Sequence, residues 1–153
     1  MITVATKVLF LDFDGVLHPD GSEAIDERGR LIDNPVLFCW LPILADILDP
    51  YPAVRIIVSS DWRRLFDDAA LIRLLGPLGT RFAGVVERIT PPRAQEILHD
   101  ALQRGLSDWI ALDDHKSVQA AARTDPRFIA CAPATGITDE AVQLAVRAWL
   151  EKK

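Results

Sequence analysis

A short apolar run that ends in two aspartates constrains this chain more than any other feature. Residues 8–11 read Val-Leu-Phe-Leu without polar alternation, and Asp12 and Asp14 follow, with Gly15 directly after them. An unbroken apolar run is typical of a strand that is buried on both faces of a parallel sheet. Residues two apart project to the same side of an extended backbone, so both carboxylates are expected together where this strand ends. Burying carboxylates is costly unless a metal ion or a phosphoryl group favours negative charge there.

The rest of the chain predicts strands that alternate with helices. Apolar runs predict further strands at residues 54–58, 82–86, 109–112 and 127–131. Helices are predicted at residues 41–48, 67–75, 93–104, 117–123 and 139–150. Thr138 is the predicted N-cap of the last helix, and the third helix is expected to bury an apolar stripe of Ala94, Ile97, Leu98, Ala101 and Leu102. This order of elements indicates an α/β fold, a Rossmann-like three-layer sandwich with a mainly parallel central sheet.

The composition favours one acidic domain in the cytoplasm. The chain has 153 residues, half of them hydrophobic, which suits a single domain over residues 1–153. Neither a signal peptide nor a membrane-spanning stretch is expected from the sequence, so no membrane partner is predicted. Cys39 and Cys131 lie among apolar residues and are expected to be buried free thiols in a reducing compartment. The net charge of −5 does not support nucleic acid as a partner, although a local basic patch would still allow it.

Polar side chains also follow two later strands. Ser59 and Ser60 come after the second strand, and Asp113 and Asp114 come at the end of the strand predicted over residues 109–112. Parallel strands place their carboxyl ends along one edge of the sheet, so these groups are expected to converge with the two aspartates of the first strand. Four carboxylates around one point repel each other. Mg²⁺, which prefers oxygen ligands, would relieve that repulsion.

This set of motifs resembles the haloacid dehalogenase-like (HAD) phosphatase superfamily. The resemblance rests on Asp-Phe-Asp-Gly-Val at residues 12–16, on Ser59, on a basic residue that opens a helix, and on the pair Asp113 and Asp114. It extends over about residues 8–150. The stretches LDFDGVLHP, VSSDWR and WIALDD look most like the compact HAD domains of bacterial and phage proteins, some of which are joined to RNA-repair enzymes.

The resemblance implies a role for each matching residue. Asp12 would be the nucleophile that accepts the phosphoryl group as an aspartyl phosphate. Asp14 would protonate the leaving group, then activate water, and its backbone carbonyl would help to hold Mg²⁺. Asp113, as the closer ligand, and Asp114 would complete the metal site with Asp12. Ser59 would donate a hydrogen bond to a phosphoryl oxygen.

The chain departs from the family at the cation that neutralises the phosphate. The family usually has a lysine there, and this chain has none between residues 7 and 116. Arg93 stands in the matching place at the start of a helix, and Arg63 is its rival. Arginine binds phosphate through two parallel hydrogen bonds but is not interchangeable with lysine. We expect Arg93 in this role, and Ser60, Arg63 and Gly15 as substrate-binding residues.

The predicted function is Mg²⁺-dependent hydrolysis of a phosphomonoester by a HAD-type phosphatase. The connections between motifs leave room for only a minimal cap, so an open site would admit a phosphorylated small molecule or a bulky substrate such as a nucleic-acid end or a phosphoprotein. Trp62 is expected to line the entrance or to stack on a base, and His18 to be a turn or packing residue. Two alternatives remain open: a non-catalytic binding or regulatory module, which the missing lysine favours, and a phosphotransferase that passes the phosphoryl group to an alcohol.

Overall fold

Strands alternate with helices through the described part of the chain, as predicted. The computed structural model describes residues 2–87 and 91–152. The strands are β1 (Lys7–Leu11), β2 (Arg55–Val58), β3 (Phe82–Val85), β4 (Asp108–Asp113) and β5 (Phe128–Ala130). The helices are α1 (Leu41–Leu48), α2 (Asp68–Leu74), α3 (Arg93–Gln103), α4 (Lys116–Ala121) and α5 (Glu140–Glu151).

The five strands form one parallel sheet with β1 at its centre. The strand order is β3-β2-β1-β4-β5 among the described residues. Leu11, the last residue of β1, lies opposite Val58 in β2 and opposite Leu112 in β4. The carboxyl ends of these three strands therefore meet at one edge of the sheet, and the residues that follow them are brought together.

Side chains of β1 alternate between two hydrophobic cores, one on each face of the sheet. Leu9 and Leu11 are completely buried in the core that α1 and α5 cover. Val8 and Phe10 are completely buried in the core that α3 and α4 cover. The unbroken apolar run of β1 is therefore explained by helices on both faces, and the Rossmann-like three-layer α/β architecture is confirmed.

Two local predictions about the helices were wrong. The side chain of Asp139, not that of Thr138, caps α5 by accepting a hydrogen bond from the backbone N–H of Ala141. Thr138 instead ends a short 3₁₀ turn, and its hydroxyl donates to the carbonyl of Thr135. On α3, Leu102 is 77% exposed, because the buried stripe of that helix is centred on the side of Ile97.

The two cysteines lie in different environments, which corrects the prediction that both are buried. Cys131 is buried, whereas Cys39 is exposed in the segment before α1. Apolar neighbours in the sequence did not ensure burial of Cys39, because Phe38 and Trp40 on either side of it pack towards the core.

The long connection between β1 and α1 holds little regular structure. All of its residues, 12–40, are described. They form turns and two isolated bridges, Asp14 with His18 and Ile25 with Leu31, in agreement with a minimal cap. Across residues 2–87 and 91–152, no helix combines the length and the apolar character that crossing a membrane requires.

Candidate active site

Three aspartates meet where β1 and β4 end. The backbone N–H of Asp12 donates to the carbonyl of Leu112 at 3.1 Å, which extends the pairing of β1 with β4 to the first site residue. Asp12 and Asp113 are almost completely buried, and Asp114 is partly exposed. One carboxylate oxygen of each lies within 4.8 Å of one from both others. The convergence that the strand ends predicted is therefore present for three of the four carboxylates.

Gly15 makes room for one member of this group. Its φ of +74° lies in the left-handed region, which glycine adopts without strain. A Cβ at this position would overlap the carboxylate of Asp114, which packs against the bare backbone. Gly15 thus allows the chain to turn after Asp14 and lets Asp114 approach Asp12.

Arg93 supplies a cation to the carboxylates. It is the first residue of α3, and its guanidinium is almost completely buried. Nη1 donates to Asp113 at 2.9 Å and lies 3.6 Å from Asp12. Nη2 donates to Asp61 at 3.0 Å. Arg93 is therefore oriented by acidic groups on two sides, next to the carboxylate that was predicted to be the nucleophile.

The buried charges fit a divalent cation. Burial and the neighbouring charge of Asp113 raise the pKa of Asp12 well above its ordinary value, and Arg93 opposes this effect. Burial also raises the pKa of Asp114. Burial by itself would lower the pKa of Arg93, but the surrounding carboxylates, that of Asp113 foremost, raise it. A hard cation with oxygen ligands would relieve the repulsion among the aspartates, so the donor set suits Mg²⁺.

Asp14 lies in the same cleft but in a different environment. Its carboxylate is 37% exposed and lies outside the cluster of three aspartates. The ring Nε2 of His18 lies 2.7 Å from Oδ1, and the indole N–H of Trp62 donates to Oδ2 at 3.0 Å. Trp62 is only 3% exposed, so the prediction that it lines the entrance or stacks on a base was wrong. Its polar edge instead contacts Asp14.

The two serines after β2 are used differently. Ser59 is completely buried, and its backbone N–H donates to the carbonyl of Leu11 beside Asp12. Its hydroxyl has no hydrogen-bond partner among the described residues. The Ser60 hydroxyl instead accepts from the backbone N–H of Trp62 and caps a 3₁₀ turn at Asp61–Arg64. A buried hydroxyl without a partner is uncommon, so Ser59 is the serine with a free donor to offer.

Arg63 makes most of its contacts away from the aspartates at the ends of β1 and β4, although its Nη1 lies 3.6 Å from Asp61. Its side chain is 2% exposed and donates to the backbone carbonyls of Ser59, Ser60 and Val86. It also pairs with Glu96 of α3 at 3.3 Å. Burial lowers the pKa of Arg63, and the nearby charge of Arg93 adds to this effect. These contacts join the turn after β2 to α3 and give Arg63 the position of a structural cation.

The cleft at the sheet edge has a volume of about 530 Å³. Of the residues predicted for the site, Asp12, Asp14, Arg93, Asp113 and Asp114 line it. The other residues predicted for the site, which are Ser59, Ser60, Arg63 and Gly15, are not among the described residues that line it. The remaining lining residues were not predicted from the sequence; they are Asp20, Asp61, His115, Lys116, Gln119 and Pro133.

His18 and Asp61 were missed as parts of the site, and Trp62 was expected at the entrance instead of against Asp14. A spacing of four residues within a turn, as between Asp14 and His18, carries no periodic signal. Trp62 reaches Asp14 across 48 positions of sequence. The sequence held a weak signal for Asp61. This residue directly follows the two serines after β2, so an interaction with a cation at the same edge of the sheet could have been expected.

Comparison with known proteins agrees with this geometry at the level of the family. No curated protein and no solved structure matched the chain. Residues 8–142, which are most of the chain, match the family described as the HAD domain in Swiss Army Knife RNA repair proteins. The match includes β1 with its aspartates, the serines after β2, Arg93, and the acidic end of β4. The chain therefore belongs to this family of HAD domains.

Proposed function

We propose that the protein is a Mg²⁺-dependent phosphomonoester hydrolase in which Asp12 forms an aspartyl phosphate. The observation that carries the proposal is the difference between the two aspartates after β1. Asp12 is buried against Asp113, Asp114 and Arg93, whereas Asp14 is partly exposed and held by two hydrogen bonds. Two carboxylates in unlike environments suit unlike roles, one as nucleophile and one as acid and base.

In the first step, a carboxylate oxygen of Asp12 attacks phosphorus and the bond to the leaving oxygen breaks. Asp14 gives a proton to that oxygen, so the product leaves as an alcohol. In the second step, water attacks the phosphorus of the aspartyl phosphate, and Asp14 takes a proton from it. Inorganic phosphate leaves and the carboxylate of Asp12 is restored, so each turnover consumes one water molecule.

The surrounding residues would neutralise and orient the phosphoryl group. Arg93 would donate from its guanidinium to phosphoryl oxygens, and the hydroxyl of Ser59 would supply a further donor. Asp12, Asp113 and Asp114 would hold Mg²⁺, with the backbone carbonyl of Asp14. When bound, the cation would supply positive charge against the phosphoryl oxygens.

The proposed substrates are bulky phosphomonoesters, with phosphorylated RNA ends first among them. The family name refers to RNA repair proteins, and the connection of residues 12–40 holds only turns and isolated bridges, which favours a minimal cap and access for bulky substrates. The net charge of −5 opposes this choice, so phosphorylated peptides are the competing substrates. Lys116 at the rim of the cleft is a cation that could contact a polynucleotide backbone.

The test is phosphate release in Mg²⁺ from p-nitrophenyl phosphate, oligonucleotides with 5′- or 3′-phosphates, and phosphopeptides. We expect release that EDTA abolishes and that Asp12→Asn lowers by several orders of magnitude. Acid-quenched protein should carry a hydroxylamine-sensitive phosphoryl group that the variant lacks. If wild type and variant were equally inactive on the whole panel, the proposal would be refuted. Transfer to added alcohols, instead of to water, would identify a phosphotransferase.

A further inference from the structure

The carboxylate of Asp14 has a separate neutral donor on each of its two oxygens. His18 lies 2.7 Å from Oδ1, and the indole of Trp62 donates to Oδ2 at 3.0 Å. Two donors on opposite sides of a carboxylate fix its rotation about the Cβ–Cγ bond. The lone pairs that remain unused then point in a direction that these two residues determine.

The hydrogen-bond pattern of His18 identifies its tautomer. The backbone N–H of Phe38 donates to Nδ1 at 3.1 Å, so Nδ1 has no hydrogen of its own. The neutral ring therefore carries its hydrogen on Nε2, which faces Asp14. The ring is completely buried, and its centroid lies 5.2 Å from that of Phe38 with the planes nearly perpendicular. It has little freedom to turn away from the carboxylate.

The turn that carries His18 and the ring of Trp62 are also held in place by contacts of their own. The N–H of Gly15 donates to the carbonyl of His18 at 2.9 Å, which folds the turn back over Asp14. The indole of Trp62 is packed among aromatic rings, with centroids 5.7 Å from Phe13 and 5.3 Å from Phe38. Both polar ring atoms are thus inside an apolar cluster and satisfied by one carboxylate that opens onto the cleft.

We infer that His18 and Trp62 are positioning residues that hold the Asp14 carboxyl group in the orientation for proton transfer to the leaving oxygen. The inference rests on the proposed function, because it assigns Asp14 the acid and base role. A packing role alone would need neither Nε2 nor the indole N–H to face Asp14. Misplacing a catalytic group by about 1 Å can cost about 100-fold in rate, so loss of either donor should affect the chemical step.

The test compares His18→Asn with His18→Gln. The amide oxygen of asparagine can replace Nδ1 and keep the bond from Phe38, but its short side chain offers no donor to Asp14. The amide nitrogen of glutamine reaches the position of Nε2 and keeps that donor. Trp62→Phe removes the indole donor and retains an aromatic ring. Melting temperatures of the three variants control for general loss of structure.

Two substrates separate positioning from general damage. β-Glycerophosphate needs a proton on its leaving alkoxide, whereas p-nitrophenolate leaves readily without one. The comparison uses kcat/KM, which reports the steps up to departure of the leaving group and excludes the later hydrolysis in which Asp14 activates water for both substrates. We expect His18→Asn and Trp62→Phe to lower kcat/KM on β-glycerophosphate by about 10- to 100-fold. On p-nitrophenyl phosphate the loss should stay below about threefold, and His18→Gln should recover most of the glycerophosphate activity. Equal losses on both substrates, or equal effects of Asn and Gln, would overturn the inference.

A measurement without turnover distinguishes failure of the inference from failure of the proposed function. A long-range proton–nitrogen NMR spectrum should show the Nε2–H tautomer of His18, with slow exchange that Asp14→Ala accelerates. If wild type released no phosphate from any substrate, the proposed function would fall and this spectrum would decide whether His18 holds Asp14. An Nδ1–H tautomer, or exchange that Asp14→Ala leaves unchanged, would refute the contact.

Discussion

Replacing Arg63 by methionine should destabilise the fold, because Arg63 is one half of a buried ion pair. Its guanidinium lies 3.3 Å from the carboxylate of Glu96, and both side chains are at most 6% exposed. Methionine has a similar length but no charge and no donors. The variant would leave Glu96 as a buried carboxylate without its cation, and the backbone carbonyls of Ser59, Ser60 and Val86 without their side-chain donor.

The expected cost is a large part of the stability of the domain. Removing one partner of a buried ion pair costs about 3–5 kcal/mol, since the remaining charge stays buried. Domains are stable by only about 5–15 kcal/mol in total. At a urea dependence of about 2 kcal/mol per molar, a loss of 4 kcal/mol lowers the midpoint of unfolding by about 2 M.

The coupling energy between Arg63 and Glu96 can be measured by urea unfolding of four proteins: wild type, Arg63→Met, Glu96→Met and the double variant. Each single change leaves a charge behind, whereas the double change removes both. The double variant should therefore cost less than the sum, by about 1–3 kcal/mol. Arg81→Met is a matched control, because this buried arginine donates to the backbone carbonyls of Leu48 and Tyr51. Arg81→Met should lower the free energy of unfolding by less than Arg63→Met does. Additive effects, or a cost for Arg63→Met below about 1 kcal/mol, would refute the reasoning.

Three further predictions concern the metal site, the turn and the thiols. Mg²⁺ at one hundred times its dissociation constant is worth about 2.7 kcal/mol, so it should raise the melting temperature in a fluorimetric scan by about 5–10 °C. Asp113→Asn should remove most of this shift, and an equal shift in the variant would place the ion elsewhere. Gly15→Ala should cost about 1–3 kcal/mol in urea unfolding and weaken Mg²⁺ binding in calorimetry, because the backbone there has positive φ and the methyl group would displace Asp114. A colorimetric thiol reagent should titrate Cys39 in the folded protein and Cys131 only in urea, because burial keeps Cys131 from solvent and raises the pKa of its thiol; rapid reaction of both thiols before unfolding would contradict this.

The sheet and the meeting of its strand ends could be predicted because they depend on short-range pattern. The apolar run before Asp12 has no alternation, which only burial on both faces explains, and the structure has helices on both faces. Parallel strands place Asp12, Asp113 and Asp114 at the same edge of the sheet. The three carboxylates lie close together because β1 and β4 are also neighbours in the sheet.

Contacts between side chains from separate segments could not be predicted in the same way. Arg63 and Arg93 both stand beside the site in the sequence, and their contacts in the fold distinguish them: Arg63 pairs with Glu96, whereas Arg93 donates to Asp113. Trp62 lies between charged residues in the sequence, which is typical of an exposed position, yet the 3₁₀ turn directs its side chain into the interior. The N-cap of α5 was predicted wrongly for a related reason. Thr138 and Asp139 are both residue types favoured at N-caps, and the residue at which α5 begins determines which of them is the cap.

The central position of β1 has a consequence for how the protein is made. Its neighbours in the sheet are β2 and β4, and Lys7 contacts Asp108 across 101 positions of sequence. A ribosome would therefore deliver β1 long before either neighbour, with apolar side chains on both faces and unpaired backbone edges. Such nascent segments are targets for chaperones and prone to aggregate. Asp12 would be synthesised before the carboxylates that complete its cluster, which would reach it only after residue 114 had left the exit tunnel.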